Sequence, residues 1–246
     1  MPRSCVFCDG PADSKEHAYP DWLTDVLPGE GALKHARGDD PDTQRRWDAA
    51  GFDVQVRQVC RTCNNGWMSR LEVRAQELLT PLILGTRTGS LSVAEQKTIA
   101  AWAWKTGAML ALAHPNDERY VTPPDYGYFR EHQRPPRGTY VWIARVEPDI
   151  GVSDFQAGFS KQHRTDYRRP GDPEIDRVGY RLQFSVFAAV FDVIKDPYEA
   201  RLSRPPGVRD YWCRVQPISK GEWPPPRQMT LRDLHELHTG RYFNMQ

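Results

Sequence analysis

Four of the five cysteines form two Cys-x-x-Cys pairs, Cys5 with Cys8 and Cys60 with Cys63. Tetrahedral zinc favours thiolate ligands, and a Cys-x-x-Cys turn presents two of them from one short segment. An ion shared by both pairs would join chain segments that are separated by 51 residues. The spacing therefore predicts one structural zinc site whose four positions are all filled by protein.

Three polar side chains lie close in sequence to these pairs: Glu16 and His17 after the first pair, and Asn64 directly after the second. An imidazole can take up a proton near neutral pH, so His17 is a candidate general base. Glu16 and Asn64 offer oxygen ligands of the kind that Mg²⁺ or Mn²⁺ prefers. Adjacent residues on a strand point to opposite faces, so Glu16 and His17 need a backbone bend to reach one pocket. With that bend, binding of one zinc ion by both cysteine pairs would bring all three side chains into a single site.

This arrangement resembles the HNH, or ββα-metal, endonucleases, and especially the four-cysteine type of recombination endonuclease VII. The resemblance covers about residues 5–72. It implies that the four cysteines hold structural zinc, that Glu16 and Asn64 hold a catalytic Mg²⁺ or Mn²⁺, and that His17 is the general base. The implied activity is metal-assisted hydrolysis of phosphodiester bonds, with DNA as the expected nucleic-acid partner. Lys15 and Arg61 flank the implied site and are candidates for contact with substrate phosphates.

Two rival hypotheses stay open. Family members usually carry an Asn between the two ends of the motif to position the histidine, whereas residues 18–63 contain none. That departure favours a non-catalytic zinc-finger module that binds nucleic acid or protein. The formal net charge of only +1 instead favours a ββα-metal frame that was repurposed as a small-molecule metalloenzyme.

The overall composition is that of an ordinary globular protein, with 39% hydrophobic and 26% charged residues. Residues 1–90 hold 11 Lys and Arg against 13 Asp and Glu, so no broad excess of positive charge indicates nucleic-acid binding. No apolar run approaches the roughly 20 residues that cross a membrane, and the first residues lack the apolar segment of a secretion signal. We therefore expect a cytoplasmic protein with reduced thiols and no membrane partner; a homodimer stays open.

Apolar spacing and turn residues predict an α+β fold in two parts. Residues 1–88 are predicted to form a zinc-stapled ββα-metal (HNH-like) unit, with a hairpin over 43–59 that leads to Cys60 and a helix capped by Asn64 or Asn65. Residues 89–246 are predicted to form a helix-plus-antiparallel-sheet domain that selects substrate or partner. Its predicted elements are a helix from a capping box at Ser92 to residue 113, a short helix near residue 128, strands over 139–146, 155–159, 180–193 and 211–215, and a last helix over 231–238.

Four further expectations concern single segments. The Gly- and Pro-containing residues 28–42 are interpreted as a mobile loop, and the basic run 161–169 as a solvated loop that could follow a nucleic-acid backbone. Trp102 and Trp104 lie two apart on a predicted helix, so one is expected in the core and the other facing a partner. Cys213 is expected to be a buried small apolar residue.

Overall fold

The structure, a computed structural model, describes residues 3–26, 33–37, 45–49, 54–113, 120–147, 160–167, 177–199, 201–204, 206–230 and 232–233. Helices and antiparallel strands both contribute, as expected for an α+β fold. The helices are α1 (Trp22–Val26), α2 (Arg61–Cys63), α3 (Ser69–Ile83), α4 (Val93–Ala113), α5 (Pro123–His132) and α6 (Pro206–Arg209). The strands are β1 (Glu16–His17), β2 (Leu33–Arg37), β3 (Arg45–Ala49), β4 (Gln55–Val56), β5 (Gly89–Ser90), β6 (Thr139–Arg145), β7 (Ser160–Tyr167), β8 (Arg177–Val186), β9 (Ala189–Lys195), β10 (Cys213–Gln216) and β11 (Glu222–Trp223).

Two antiparallel ribbons lie between the two cysteine pairs in the sequence. β1 pairs with β4, and β2 pairs with β3, both of which come between β1 and β4 along the chain. The hairpin predicted over 43–59 is therefore wrong, because β3 pairs with the preceding β2 and β4 pairs with the more distant β1. The prediction that 28–42 is only a loop is also wrong, since β2 lies within it.

A helix begins within the second cysteine pair. The Sγ of Cys60 accepts a hydrogen bond from the backbone N–H of Cys63 at 3.3 Å and so caps the first turn of α2. A π-helical turn (Asn64–Met68) then connects α2 to α3. The helix thus begins before Asn64, and the prediction that Asn64 or Asn65 is its N-cap is wrong. Among the described residues, α1, β2 and β3 lie between β1 and β4 in the sequence, and the predicted ββα-metal unit stays a prediction.

The central helix α4 begins and ends as predicted. Ser92 and Glu95 form the capping box: the Glu95 N–H donates to the Ser92 hydroxyl at 3.3 Å, and the Ser92 N–H donates to the Glu95 carboxylate at 2.7 Å. Residues 99–111 are buried on every side, because α3 packs on one side of α4 and the large sheet on the other. Trp102 and Trp104 are consequently both fully buried, so the expectation that one of them faces a partner is wrong.

The large sheet has the strand order β10-β6-β9-β8-β7, with every pair antiparallel. A tight turn with Phe187 at a positive φ of 47° separates β8 from β9, so the single strand predicted over 180–193 is in fact a hairpin. The loop predicted for the basic run 161–169 is wrong over most of that range, because β7 extends through Tyr167. The strand predicted over 155–159 lies outside the described residues, as does most of the predicted last helix.

The sheet is covered on both faces. One face packs against α4, and the other carries a smaller apolar cluster that the segment around Arg204 covers. The Arg204 guanidinium lies between the indole rings of Trp142 and Trp212, at 4.2 and 4.3 Å from their centroids. It also pairs with the fully buried Asp192 carboxylate, and these contacts hold the covering segment on the sheet.

One buried cluster of apolar residues extends from Cys5 to Trp223 and draws on both sides of residue 88. The predicted division into parts at that residue stays a prediction. Cys213 is 5% exposed, as expected for a small apolar core residue. Within the part of the chain that the structure describes, no helix is both long and apolar enough to cross a membrane.

Gly107 permits the close approach of α4 to β8 and provides a test of this packing. A Cβ at Gly107 would lie 2.9 Å from the Cβ of Leu182, so Gly107→Ala forces the helix and strand apart. Overpacking of about 1–3 kcal/mol should outweigh the helix-propensity gain of about 1 kcal/mol. Urea unfolding should therefore show a lower free energy of unfolding.

The matched control is Gly127→Ala in α5, where a Cβ meets no atom within 4 Å. This substitution should stabilise the protein by about 0.5–1 kcal/mol. Equal effects of the two substitutions would contradict the helix–sheet contact described here.

Candidate functional site

The four paired cysteines converge on one point. Their Sγ atoms all lie within 4.8 Å of one another, and the Sγ atoms of Cys8 and Cys60 are 3.5 Å apart. Four sulfurs that bind one tetrahedral zinc at about 2.3 Å are about 3.8 Å from each other. The donor set and its spacing therefore fit a zinc ion, which would supply structural cross-linking here because all four ligands are protein thiolates.

The thiols differ in how readily they lose their protons. Burial raises the pKa of Cys5 and that of Cys63. Burial acts in the same direction on Cys60, but hydrogen bonds from the Cys63 backbone N–H and from neighbouring thiols outweigh it, so the pKa of Cys60 is lowered. Since zinc binds thiolates, capture of the ion must release protons, and zinc affinity should fall as the pH is lowered.

Aromatic rings anchor the first cysteine pair on the rest of the chain. Phe7, between Cys5 and Cys8, contacts the rings of Trp67 and Tyr126 edge-on at centroid distances of 5.0 and 5.2 Å. Tyr126 belongs to α5 and Trp67 to the π-helical turn. The cysteine cluster is thus fixed by packing to elements on both sides of residue 88.

His17 lies on the outer face of the β1–β4 ribbon. Its side chain is 32% exposed, and its Nδ1 lies 3.1 Å from the Asp21 carboxylate. Its Nε2 lies 3.1 Å from the side-chain nitrogen of Gln55, the residue opposite it in the ribbon. An imidazole that donates from Nδ1 to Asp21 keeps Nε2 as a proton acceptor, which is the tautomer that a general base requires.

Three exposed basic residues and Asn64 lie in the segments that adjoin β1 and β4. Lys15 comes directly before β1 and Arg57 directly after β4, and both residues are exposed. Arg61 is also exposed, and its backbone N–H donates to the Asp13 carboxylate at 2.7 Å. Asn64 donates from its side-chain nitrogen to the Ser14 hydroxyl at 3.3 Å and to the Lys15 carbonyl at 3.4 Å, which places its amide beside the start of β1.

Glu16 faces the opposite way, into the protein, as the alternation of a strand requires. Its Oε1 accepts a hydrogen bond at 2.9 Å from the Nζ of Lys105, a fully buried residue of α4. The same Nζ lies 2.6 Å from a carboxylate oxygen of Glu72 in α3. Burial alone would lower the pKa of Lys105, but attraction to Glu72 and Glu16 raises it, so this side chain carries its charge.

The arrangement of these residues does not support the predicted divalent ion. The Glu16 side chain is only 9% exposed, and one of its oxygens is bound to a charged ammonium group. The side-chain nitrogen of Asn64 donates to the Ser14 hydroxyl and the Lys15 carbonyl, and no contact joins it to Glu16 among the hydrogen bonds described above. Zinc at the cysteines is supported by the geometry, whereas Mg²⁺ or Mn²⁺ held by Glu16 and Asn64 is not, and their catalytic roles stay predictions.

Comparisons of this chain with protein-family models, with curated proteins and with solved structures find no match.

Sequence reasoning did not find Lys105, Glu72, Asp21 or Gln55. A signal for Lys105 was available, because it is the one charged residue in the apolar stretch 99–111 of a helix. A lysine in such a stretch needs a buried anionic partner, since lysine is almost never fully buried unpaired. No comparable local signal exists for Gln55, whose position opposite His17 depends on strand pairing.

Zinc content tests the metal centre. The purified chain should contain about one zinc ion, and Cys60→Ala should lose it and unfold the surrounding segments, because site formation and folding are coupled. Elemental analysis and urea unfolding measure the two effects. Cys213→Ala, which changes the one cysteine outside the cluster, should retain the zinc; zinc loss in that control, or zinc retained in Cys60→Ala, would contradict the assignment.

The buried ion pair makes a second prediction. Lys105→Met removes the ammonium group and leaves two carboxylates without their cation, so it should lower the free energy of unfolding by about 3–5 kcal/mol. Lys97→Met changes an exposed lysine of the same helix and should alter stability by no more than about 0.5 kcal/mol. Similar values for the two variants in urea unfolding would show that the pair contributes nothing.

Proposed function

We propose that this chain is a zinc-stapled, HNH-type nuclease that hydrolyses phosphodiester bonds, with DNA as substrate and His17 as general base. The observation that carries the proposal is the outward-facing His17, which has a carboxylate at Nδ1 and lies on a strand–strand–helix unit closed by four cysteines. The four cysteines and His17 are also among the residues that carry the resemblance to the ββα-metal endonucleases.

The chemistry assigned to the chain's own residues is limited. His17 would take a proton from water at Nε2, and the resulting hydroxide would attack phosphorus while the bond to the leaving oxygen breaks; that oxygen takes a proton from solvent. In the structure the Gln55 amide lies at Nε2, so the attacking water would take its place. Asp21 would stabilise the protonated imidazole. No step is assigned to a divalent ion.

Phosphate contact would come from exposed cations in the segments next to β1 and β4. Lys15 comes directly before β1, Arg57 directly after β4 and Arg61 at the start of α2, and these exposed residues offer ammonium and guanidinium donors. Such groups stabilise the negative charge that grows on phosphate oxygens during hydrolysis. They also explain how a chain of net charge +1 could bind nucleic acid through a local basic face.

A second candidate is a non-catalytic zinc module that binds nucleic acid. The observation that favours it is the Glu16–Lys105 ion pair, because this pair occupies the carboxylate that the resemblance assigns to the catalytic ion. In that case the basic face would bind the phosphate backbone without cleaving it.

Nicking of supercoiled plasmid by the zinc-loaded protein tests the proposal, with and without added Mg²⁺ or Mn²⁺. His17→Ala should reduce the rate by about 10²–10⁴-fold, the usual contribution of a general base. His132→Ala, which changes an exposed histidine of α5, should cleave at the wild-type rate.

Cleavage by His17→Ala at the wild-type rate would rule out His17 as the base. No cleavage by the wild-type protein, together with DNA binding that weakens in Lys15→Ala/Arg57→Ala, would support the second candidate instead.

A further inference from the structure

A buried cluster of two carboxylates and one ammonium group lies behind β1, and the proposed hydrolysis does not use it. One oxygen each of Glu16 and Glu72 lies 2.9 and 2.6 Å from the Nζ of Lys105. The Lys105 side chain is fully buried, so it cannot reach a substrate from this position. Two carboxylates and one ammonium group carry a net charge of −1.

The two carboxylates converge on one cation, the Lys105 ammonium group. Oxygen ligands of Mg²⁺ lie at about 2.1 Å from the ion, so each carboxylate oxygen would have to move inward by about 0.5–0.8 Å to bind such an ion in place of Nζ. The other oxygen of Glu72 accepts hydrogen bonds from the indole N–H groups of Trp22 and Trp102 at 3.1 and 2.9 Å. Outer donors of this kind hold metal-binding carboxylates in place in metalloproteins.

We infer that Lys105 is the resident cation of a two-carboxylate site, and that its ammonium group takes the position between Glu16 and Glu72 that a divalent ion would otherwise occupy. The inference does not depend on the proposed nuclease activity. It accounts for a charged lysine in the centre of an apolar helix and for the poor fit of a divalent ion at Glu16.

The positive charge of Lys105 keeps its ammonium group in the place of a divalent ion. Attraction to the two carboxylates more than offsets the effect of burial and raises the pKa of Lys105, so the ammonium group stays charged at physiological pH. A divalent ion at Glu16 would have to lie beside this fixed positive charge, which repels it strongly in a buried setting. The wild-type chain should therefore not bind Mg²⁺ or Mn²⁺ through Glu16.

Removing the lysine side chain should convert the cluster into a divalent-cation site. Lys105→Ala leaves two facing carboxylates with a net charge of −2 and vacates the volume of the lysine side chain. Mn²⁺ alone serves as the probe, added to zinc-loaded full-length protein. Isothermal titration should show Mn²⁺ binding at least about tenfold tighter in Lys105→Ala than in the wild type, and saturating Mn²⁺ should raise the melting temperature of the variant only.

Two controls separate this site from unspecific binding. Lys97→Ala, on the exposed side of α4, should behave as the wild type does. The double variant Lys105→Ala/Glu16→Gln should lose the gain in affinity, because one of the two carboxylates is then neutral. A Lys105→Ala protein that folds and gains no affinity for Mn²⁺ would overturn the inference.

If Lys105→Ala does not fold, Glu16→Gln in the otherwise wild-type chain tests whether Glu16 binds a divalent ion. The glutamine amide oxygen can still accept the hydrogen bond from Lys105. The inference expects Mn²⁺ binding in this variant to equal that of the wild type. Weaker Mn²⁺ binding in Glu16→Gln would make Glu16 a ligand in the native protein and would refute Lys105 as the resident cation.

Discussion

One buried ammonium group connects the strand that carries His17 to the helices behind it. Lys105 of α4 binds Glu16 of β1 and Glu72 of α3, and indole N–H groups from α1 and α4 hold the Glu72 carboxylate. Charges taken out of water are tolerated only when such partners keep their positions. Because β1 has only two residues, this contact fixes the inward side of a strand that backbone pairing alone would hold weakly.

The cysteine cluster supplies the second constraint on the same small unit. It joins 5–8 to 60–63, while Lys105 joins β1 to α3, so the ribbon is fixed at its end and along its inner face. A unit of this size buries little apolar surface by itself, and a structural metal commonly supplies the missing stability. The further packing of Phe7 against Trp67 and Tyr126 connects the metal centre to the large core.

The parts of this fold that were predictable depend on local chemistry. The cysteine spacing, the capping box at Ser92 and the length of α4 all follow from residues a few positions apart. The pairing of β3 with β2 was not predictable in this way, because alternating residues mark a strand but not its partner. The burial of both Trp102 and Trp104 was missed for a related reason: it depends on α4 having neighbours on two sides, which its own sequence does not specify.

Strand alternation separates two roles that the sequence placed on adjacent residues. Glu16 points inward and serves the stability of the fold through Lys105, whereas His17 points outward and contacts the exposed Asp21 carboxylate. A metal-dependent use of this frame needs both side chains in one pocket, and the structure instead divides them between the two faces of β1. In the proposed function the outer face would act on a phosphate backbone without disturbing the buried charges, and changes at Lys105 should affect folding before they affect the histidine face.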